Sequence, residues 1–385
     1  MNVALALSVT AWPTVPHLSG IFLNLNGETS AWTKAQWVTD FRSMQAVGIR
    51  FFCLHHPVTG INDTLPGCPY GRYVTKFPPM ALPAACYEQE DGAAGRALLT
   101  MLDALEEVGN LSMHLGLAYT KNPTFALHQG FSTYAKLQQE VASGIWAIIP
   151  ETQRRLIGGV YAMVEPHNGH LPWDAELPHL AGYFESLASH VKASMRGDLI
   201  VWDSPYITGN TTHDAKEGGV MNVSWTAAWY EQLWKLAPSF DTVAIQDHIG
   251  QGYPSSFQNV SDYFSAVAAT NAAAGRAGLW ANLEIFGQHA GPTRGPWPSY
   301  ICHNCVANWP RVKAQLSLEA SLPHVTTLIA WEWTGCLSPN YGPKGTNTSR
   351  ALYAQYKEYV DAADARPLFR YETPGETLRS RFSPW

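Results

Sequence analysis

Residues 19–56 read SGIFLNLN, then GETSAWTKAQWVTDFRSMQAVG, then IRFFCLHH. Two short apolar runs enclose a segment in which Trp37, Phe41 and Met44 fall at spacings of four and three, with Gly48 as a stop signal. A short run rich in Ile, Leu and Phe with no polar alternation is how a strand buried on both faces reads. The unit is therefore strand, helix, strand. Working outward, comparable apolar runs recur at 111–119, 156–165, 197–207, 241–250, 277–287 and 324–335. The segments between them carry helix signals. In 95–108, Leu98, Met101, Leu102 and Leu105 share one face and Gly109 closes the helix; 131–149, 175–195, 225–236, 256–274, 311–322 and 350–363 also read as helices. Strands alternating with helices imply parallel strands and crossover helices. Eight such units over 385 residues predict one (β/α)8 TIM barrel spanning 1–385. Residues 1–18 form an N-terminal extension, 366–385 a C-terminal tail, and 57–94 and 288–310 long loops at the C-terminal face. A doubly wound open sheet would carry a Gly-rich phosphate turn after its first strand. Here that strand runs into Asn24-Leu25-Asn26-Gly27-Glu28, which has no such turn.

Composition narrows the functional classes. With 46% hydrophobic residues the chain buries a large core, and a net charge of -6 with scattered Lys and Arg argues against nucleic acid as a partner. No apolar run reaches the roughly 18 residues a membrane span needs, so no membrane partner is expected. Met1–Trp12 is apolar but lacks a basic leading region. Six N-glycosylation sequons occur, at Asn62, Asn110, Asn210, Asn222, Asn259 and Asn347, whereas sixteen Asn would give roughly two by chance. Cys53 reads as a buried thiol. Cys68 is placed to bond Cys86, and Cys336 to bond Cys302 or Cys305. These features predict a secreted, disulfide-bonded glycoprotein, and a monomer.

In barrels of this kind the site lies at the C-terminal ends of the strands, and polar groups arrive just where the apolar runs stop. They are Asn24, His55, Glu165 with His167, Asp203 with Tyr206, Gln246 with Asp247 and His248, Asn282 with Glu284, and Trp331-Glu332-Trp333. Carboxylates are seldom buried without a partner, and crowding them pushes their pKa values apart, leaving a protonated donor beside an ionised partner. Cleavage of a glycosidic bond needs that pair. Trp is abundant at 15 residues, and Trp202, Trp280, Trp297, Trp331 and Trp333 are placed at the mouth, where flat rings stack on sugar faces. Glu165 and Glu284 are thus the candidate catalytic carboxylates, with Asp247 the rival for the second role. Asn24, His55, His167, Asp203, Tyr206, Gln246, His248, Asn282, Trp331, Glu332 and Trp333 are the candidate substrate-binding residues. A lone strand-end carboxylate such as Glu332 also suits a helix N-cap, and Asp203 also suits a bond to nearby backbone. No HxH closes the first strand and no HExxH or GxSxG occurs, so neither a metal site nor a serine nucleophile is expected, and no cofactor. The expected activity is glycoside hydrolysis of an oligo- or polysaccharide. The alternatives are a non-catalytic carbohydrate-binding barrel and a metal-dependent hydrolase.

The motif W-T-x-x-Q-W…F-x-x-M-x-x-V-G-I within 19–52, the span from Tyr161 to Glu165, Ser204–Tyr206 (SPY), Gln246–Gly250 (QDHIG) and Leu279–Phe286 (LWANLEIF) together resemble a barrel family of unknown function grouped with glycoside-hydrolase-type TIM barrels. The likeness covers essentially the whole chain. More distantly the chain resembles the clan-A glycosidases, in which strand four carries the acid/base and strand seven the nucleophile. That resemblance implies Glu165 as acid/base, Glu284 as nucleophile and retention of anomeric configuration. The chain departs from the clan at Val164, where Asn ordinarily precedes the acid; Asn282 is the alternative source of an amide.

Overall fold

The computed structural model describes residues 16–25, 27–55, 57–61, 72–75, 87–89, 96–119, 131–166, 173–206, 223–250, 257–276, 278–288, 301–341 and 347–362. Eight strands, β1 (Gly20–Asn24), β2 (Phe51–His55), β3 (Ser112–Gly116), β4 (Ile157–Tyr161), β5 (Ile200–Asp203), β6 (Thr242–Gln246), β7 (Leu279–Glu284) and β8 (Val325–Trp331), pair in chain order. All eight pairings are parallel, and β8 closes on β1. Helices follow the strands: α1 (Lys34–Gln45), α2 (Ala97–Val108), α3 (Phe131–Ile148), α4 (Trp173–Ser194), α5 (Val223–Leu236), α6 (Phe257–Ala273), α7 (Trp309–Ser321) and α8 (Asn347–Ala362). The predicted (β/α)8 barrel is the observed fold.

The first unit shows how the sequence builds it. Thr33 and Gln36 form a reciprocal capping box at the start of α1. Trp37 and Phe41 stack with centroids 5.4 Å apart, and Phe41 stacks on Phe52 of β2 at 5.1 Å. Burying three such side chains contributes on the order of 5–9 kcal/mol before entropy is counted. After the helix, Gly48 adopts φ +87°, and a Cβ there would lie 2.6 Å from the His17 ring, so only glycine fits.

Inside the barrel the filling is aromatic. Phe22 packs against Tyr161, Trp202 and Trp331, while Phe51 stacks on His114 at 4.4 Å and touches Trp280. Trp202 donates from Nε1 to His114 Nδ1 at 2.9 Å, which fixes the imidazole as the Nε2–H tautomer. Burial lowers the His114 pKa to about 3, so this ring is a neutral core group. Trp202 and Trp280, expected at the mouth, are instead barrel filling, 0% and 6% exposed; the strand alternation that points them inward starts too low for them to reach the rim.

Two of the long connections contain β structure that their composition did not announce. After β2, Val58–Ile61 pairs antiparallel with Arg72–Thr75 and parallel with Ala118–Tyr119, and Tyr87–Gln89 adds the fourth strand. After β7, Phe286–Gln288 pairs antiparallel with Ile301–Val306. Both sheets extend from the C-terminal ends of barrel strands. Cys336 is a free buried thiol in the short helix Trp333–Cys336, so its expected disulfide is not formed: the helix tucks the side chain into the core. Cys68, Cys86, Trp297 and His167 lie outside the described residues.

Candidate active site

Barrel register brings the strand-end residues level. Asn24 lies beside His55, Gln246 beside Asn282, and Glu284 beside Trp331. The chain past β4 then turns sharply: Met163 and Glu165 both take left-handed conformations, φ +62° and +48°. Non-glycine residues enter this region at an energetic cost, and the surroundings must hold them there. Asp203 does so. Its two carboxylate oxygens accept the Val164 and Glu165 amides at 3.2 and 3.0 Å. Expected to bind substrate, Asp203 is wholly buried and committed to this turn. Burial first, and then the neighbouring Glu165, pushes its pKa well up.

So mounted, Glu165 keeps 31% of its side chain exposed at the mouth. Tyr161 Oη donates to its Oε1 at 2.5 Å, and Gln246 hydrogen-bonds it as well. These bonds favour the anion, but the loss of hydration outweighs them and the pKa of Glu165 lies above the ordinary carboxylate value. A carboxyl both reachable and biased toward protonation is what a general acid requires.

A second set of side chains runs from β8 through β1 to β2. Glu332 follows a cis Trp331–Glu332 peptide and caps the Trp333–Cys336 helix, Oε1 accepting from the Gly335 amide at 3.0 Å. Its Oε2 accepts from Asn24 Nδ2, so Asn24 must turn its Oδ1 toward His55 Nδ1, 2.9 Å away. An amide oxygen only accepts, which makes Nδ1 the protonated nitrogen of His55. The other ring nitrogen, Nε2, then faces Glu165 Oε1 at 4.0 Å. Burial raises Glu332 to about 7, against the lowering effect of its two hydrogen bonds. Trp331 is partly exposed above Phe22 and edge-on to His55, at 4.9 and 4.5 Å, and offers a ring face at the rim. Trp333 does not: 1% exposed, it donates from Nε1 to Asp40 Oδ2 at 2.6 Å, on the side facing α1. The helix that begins at Trp333 turns it away from the mouth.

Across the mouth, Glu284 ends β7 with 1% of its side chain exposed and its Oε1 3.8 Å from His248 Nε2. His248 takes φ +54° and stacks on Tyr206 at 4.6 Å. Gly250 leaves the space this carboxylate needs, since a Cβ there would lie 2.7 Å from Glu284 Cβ. Asn282, two residues earlier on the same face, donates to Ser204 Oγ at 2.8 Å, and its buried Oδ1 has no partner among the described residues. Gln246 donates to the Ser204 carbonyl at 2.6 Å.

Asp247 is placed differently from Glu284. Oδ1 accepts the Ile249 and Glu284 amides at 3.0 and 3.2 Å, and Oδ2 accepts from Gln315 Nε2 at 2.5 Å. It is 0% exposed and turned toward α7. Four participants were missed from sequence: Tyr161, and Arg311, Gln315 and Glu319 of α7. The last three repeat every four residues on one helix face, a polar stripe where a core-facing stripe would be apolar, and that was the legible signal. Tyr161, inside an apolar run, was marked only as the start of the motif that ends at Glu165. Among the described residues no three His, Cys, Asp or Glu side chains are grouped to hold a metal ion, and no helix is long and apolar enough to cross a membrane.

Residues 18–342 match a protein family described as Domain of unknown function (DUF4434). No curated protein sequence matches the chain. Among solved structures, a Bacteroides thetaiotaomicron protein described provisionally as an alpha-L-fucosidase aligns over 94% of this chain and 99% of its own, at 16% identity and TM-score 0.68. The endo-1,4-beta-D-mannanase of Thermotoga petrophila RKU-1 aligns over 90% and 99%, at 11% identity and TM-score 0.52. The endo-1,4-beta-mannanase of Rhizomucor miehei aligns over 91% and 96%, at 9% identity and TM-score 0.53. At such identities the likeness establishes the fold alone.

Proposed function

The chain belongs to the DUF4434 family, and we propose that it is a glycoside hydrolase in which Glu165 is the general acid/base and Glu284 the second carboxylate. The observation that carries this reading is the mounting of Glu165: a strained turn clamped by Asp203 delivers a part-exposed carboxyl whose pKa is raised, at the end of β4. Protonation of a glycosidic oxygen is the step such a group performs. Glu284, at the end of β7, supplies the opposing carboxylate. Asp247 is not favoured for that role, because its oxygens are engaged by amides and Gln315. Trp331 gives a platform for a sugar face, and the strand-end side chains Asn24, His55, Gln246, Tyr206 and His248 would hold sugar hydroxyls. The structural neighbours described as mannanases support a saccharide substrate by analogy of fold.

A panel of oligo- and polysaccharides, with products identified by mass spectrometry and NMR, tests the reading. Wild type should cleave at least one glycan, and Glu165→Gln and Glu284→Gln should each fall by about 10²–10⁴-fold. Full turnover in both variants removes the pair from the mechanism. The near-complete burial of Glu284 favours one other reading, a barrel that binds saccharide without cleaving it. Binding with no product from wild type would establish that alternative. Secretion belongs to the same proposal. Asn110 is exposed in the turn between α2 and β3, and material from a secretory host should carry an enzymatically removable glycan there. Material from that host that stays inside the cell with Asn110 unmodified would count against it.

A further inference from the structure

Behind Glu284, α7 turns Arg311, Gln315 and Glu319 toward the end of β7. Arg311 Nη2 donates to the Glu284 carbonyl at 3.2 Å and also to that of Phe286. Gln315 Nε2 reaches Asp247 and, at 3.3 Å, the Glu284 carbonyl. Gln315, Glu319 and Asp247 are all 0% exposed. Glu319, one turn on from Gln315 along the same face of α7, is buried beside Asp247, and the two carboxyls act on each other electrostatically. Neither oxygen of Glu319 receives an N–H or hydroxyl from any other described residue.

Two ionised carboxylates are acceptors only and repel each other strongly where water is excluded, so one of this pair is an acid. The donors around them decide which. Asp247 collects two backbone amides and the Gln315 amide, all of which favour its anion. Glu319 receives no hydrogen bond, among the described residues, that would stabilise a charge in a dry setting.

We propose that Glu319 is a neutral carboxylic acid whose O–H donates to the Asp247 carboxylate, and that this pair is a positioning device fixing the backbone under Glu284. The wider electrostatics agree. Arg311 on α7 acts on Asp247 and Glu284, Glu284 on the strand side acts on Glu319, and beyond them His248 faces Glu284 and Cys336 of the Trp333–Cys336 helix faces Arg311. Burial raises Glu319 well above the usual carboxylate value, and the Asp247 charge raises it further. An anion at Glu319 would sit against Asp247 and Glu284 together. Asp247 in turn accepts the amide of Glu284 itself, so a shift of the pair displaces the end of β7. The catalytic consequence rests on the assignment of Glu284 above; the protonation state does not.

Glu319→Gln tests it, because the amide keeps the size of the acid and donates the same hydrogen bond but cannot ionise. Melting temperatures of the full-length wild type and Glu319→Gln would be compared from pH 5 to 8. Glu319, with its folded pKa raised, retains a proton that the unfolded chain releases above roughly pH 4.3. Wild-type stability therefore falls as pH rises, and Glu319→Gln lacks this fall. Relative to wild type the variant should gain roughly 2 °C per pH unit. A difference that does not change with pH overturns the proposal. A Glu319→Gln protein that cannot fold also overturns it, since only an essential anion would be missed. On a glycan that wild type cleaves, Glu319→Gln should keep kcat within about threefold, whereas Glu319→Ala should lower kcat at least tenfold with KM little changed. Wild-type kcat in Glu319→Ala would overturn the positioning role. Absence of cleavage by wild type would instead sink the hydrolase reading and leave the melting result standing.

Discussion

Tyr161 and Glu165 show at the scale of single residues how a barrel strand tunes the group that follows it. The tyrosine hydroxyl donates to Glu165 at 2.5 Å and favours the carboxylate, opposing the burial that favours the acid. Tyr161→Phe removes only that donor, so the Glu165 pKa should rise. The alkaline limb of the pH–rate profile, which follows loss of the acid's proton, should move to higher pH. A shift to lower pH would contradict the assignment. Glu332 makes a second, independent prediction. Raised to about 7 from an ordinary value near 4.5, it contributes stability that is complete below pH 4.5 and lost as pH rises through 7. Replacing it with Gln should flatten the decline in melting temperature over that window, and an unchanged slope would show that Glu332 titrates normally. The sequence marked both carboxylates as strand-end polar residues but could not separate their roles. Which one meets a helix start, and which one projects from a left-handed turn, depends on backbone angles that side-chain type does not report.

At the scale of elements, eight strands and the helices between them were legible because each carries one simple pattern: a two-faced apolar run or an apolar stripe. The failures came where β structure borrowed its stability from neighbours. Val58–Ile61 and Ala118–Tyr119 form a sheet through contact across about sixty residues, which no local pattern reveals. Trp202 and Trp280 failed for a related reason, since an aromatic residue near a strand end reads the same whether it fills the barrel or lines its rim. The close packing of that interior can be tested directly. At Gly159 a Cβ would lie 2.6 Å from the Ile200 carbonyl and 2.8 Å from His114. A carbonyl in a strand pair cannot step aside, so Gly159→Ala should destabilise by about 1–3 kcal/mol in denaturant unfolding. A loss below ~0.5 kcal/mol would mean that β4 and β5 are less tightly apposed than described.

For the molecule as a whole, closure of the barrel brings chain-distant segments together, and both the stability and the site depend on it. Asp40 of α1 gathers Trp333 Nε1, Ser338 Oγ and Asn340 Nδ2 at 2.6, 2.8 and 3.1 Å, tying the segment after β8 to the first helix. Trp333→Phe leaves Asp40 buried without its shortest donor and should cost about 1–3 kcal/mol of global stability while sparing the chemistry. The same closure sets β4 and β7 around one mouth, and the account stands or falls on what their two carboxylates do. The most direct test is the dependence of turnover on leaving group in Glu165→Gln and Glu284→Gln. A natural glycan needs its leaving oxygen protonated, whereas an activated aryl glycoside with an acidic phenol does not. Glu165→Gln should lose the glycan and retain most cleavage of the aryl substrate when bond breaking to the phenol limits the rate; Glu284→Gln should lose both. Equal losses on the two substrates in Glu165→Gln, or none in Glu284→Gln, would contradict the central claim.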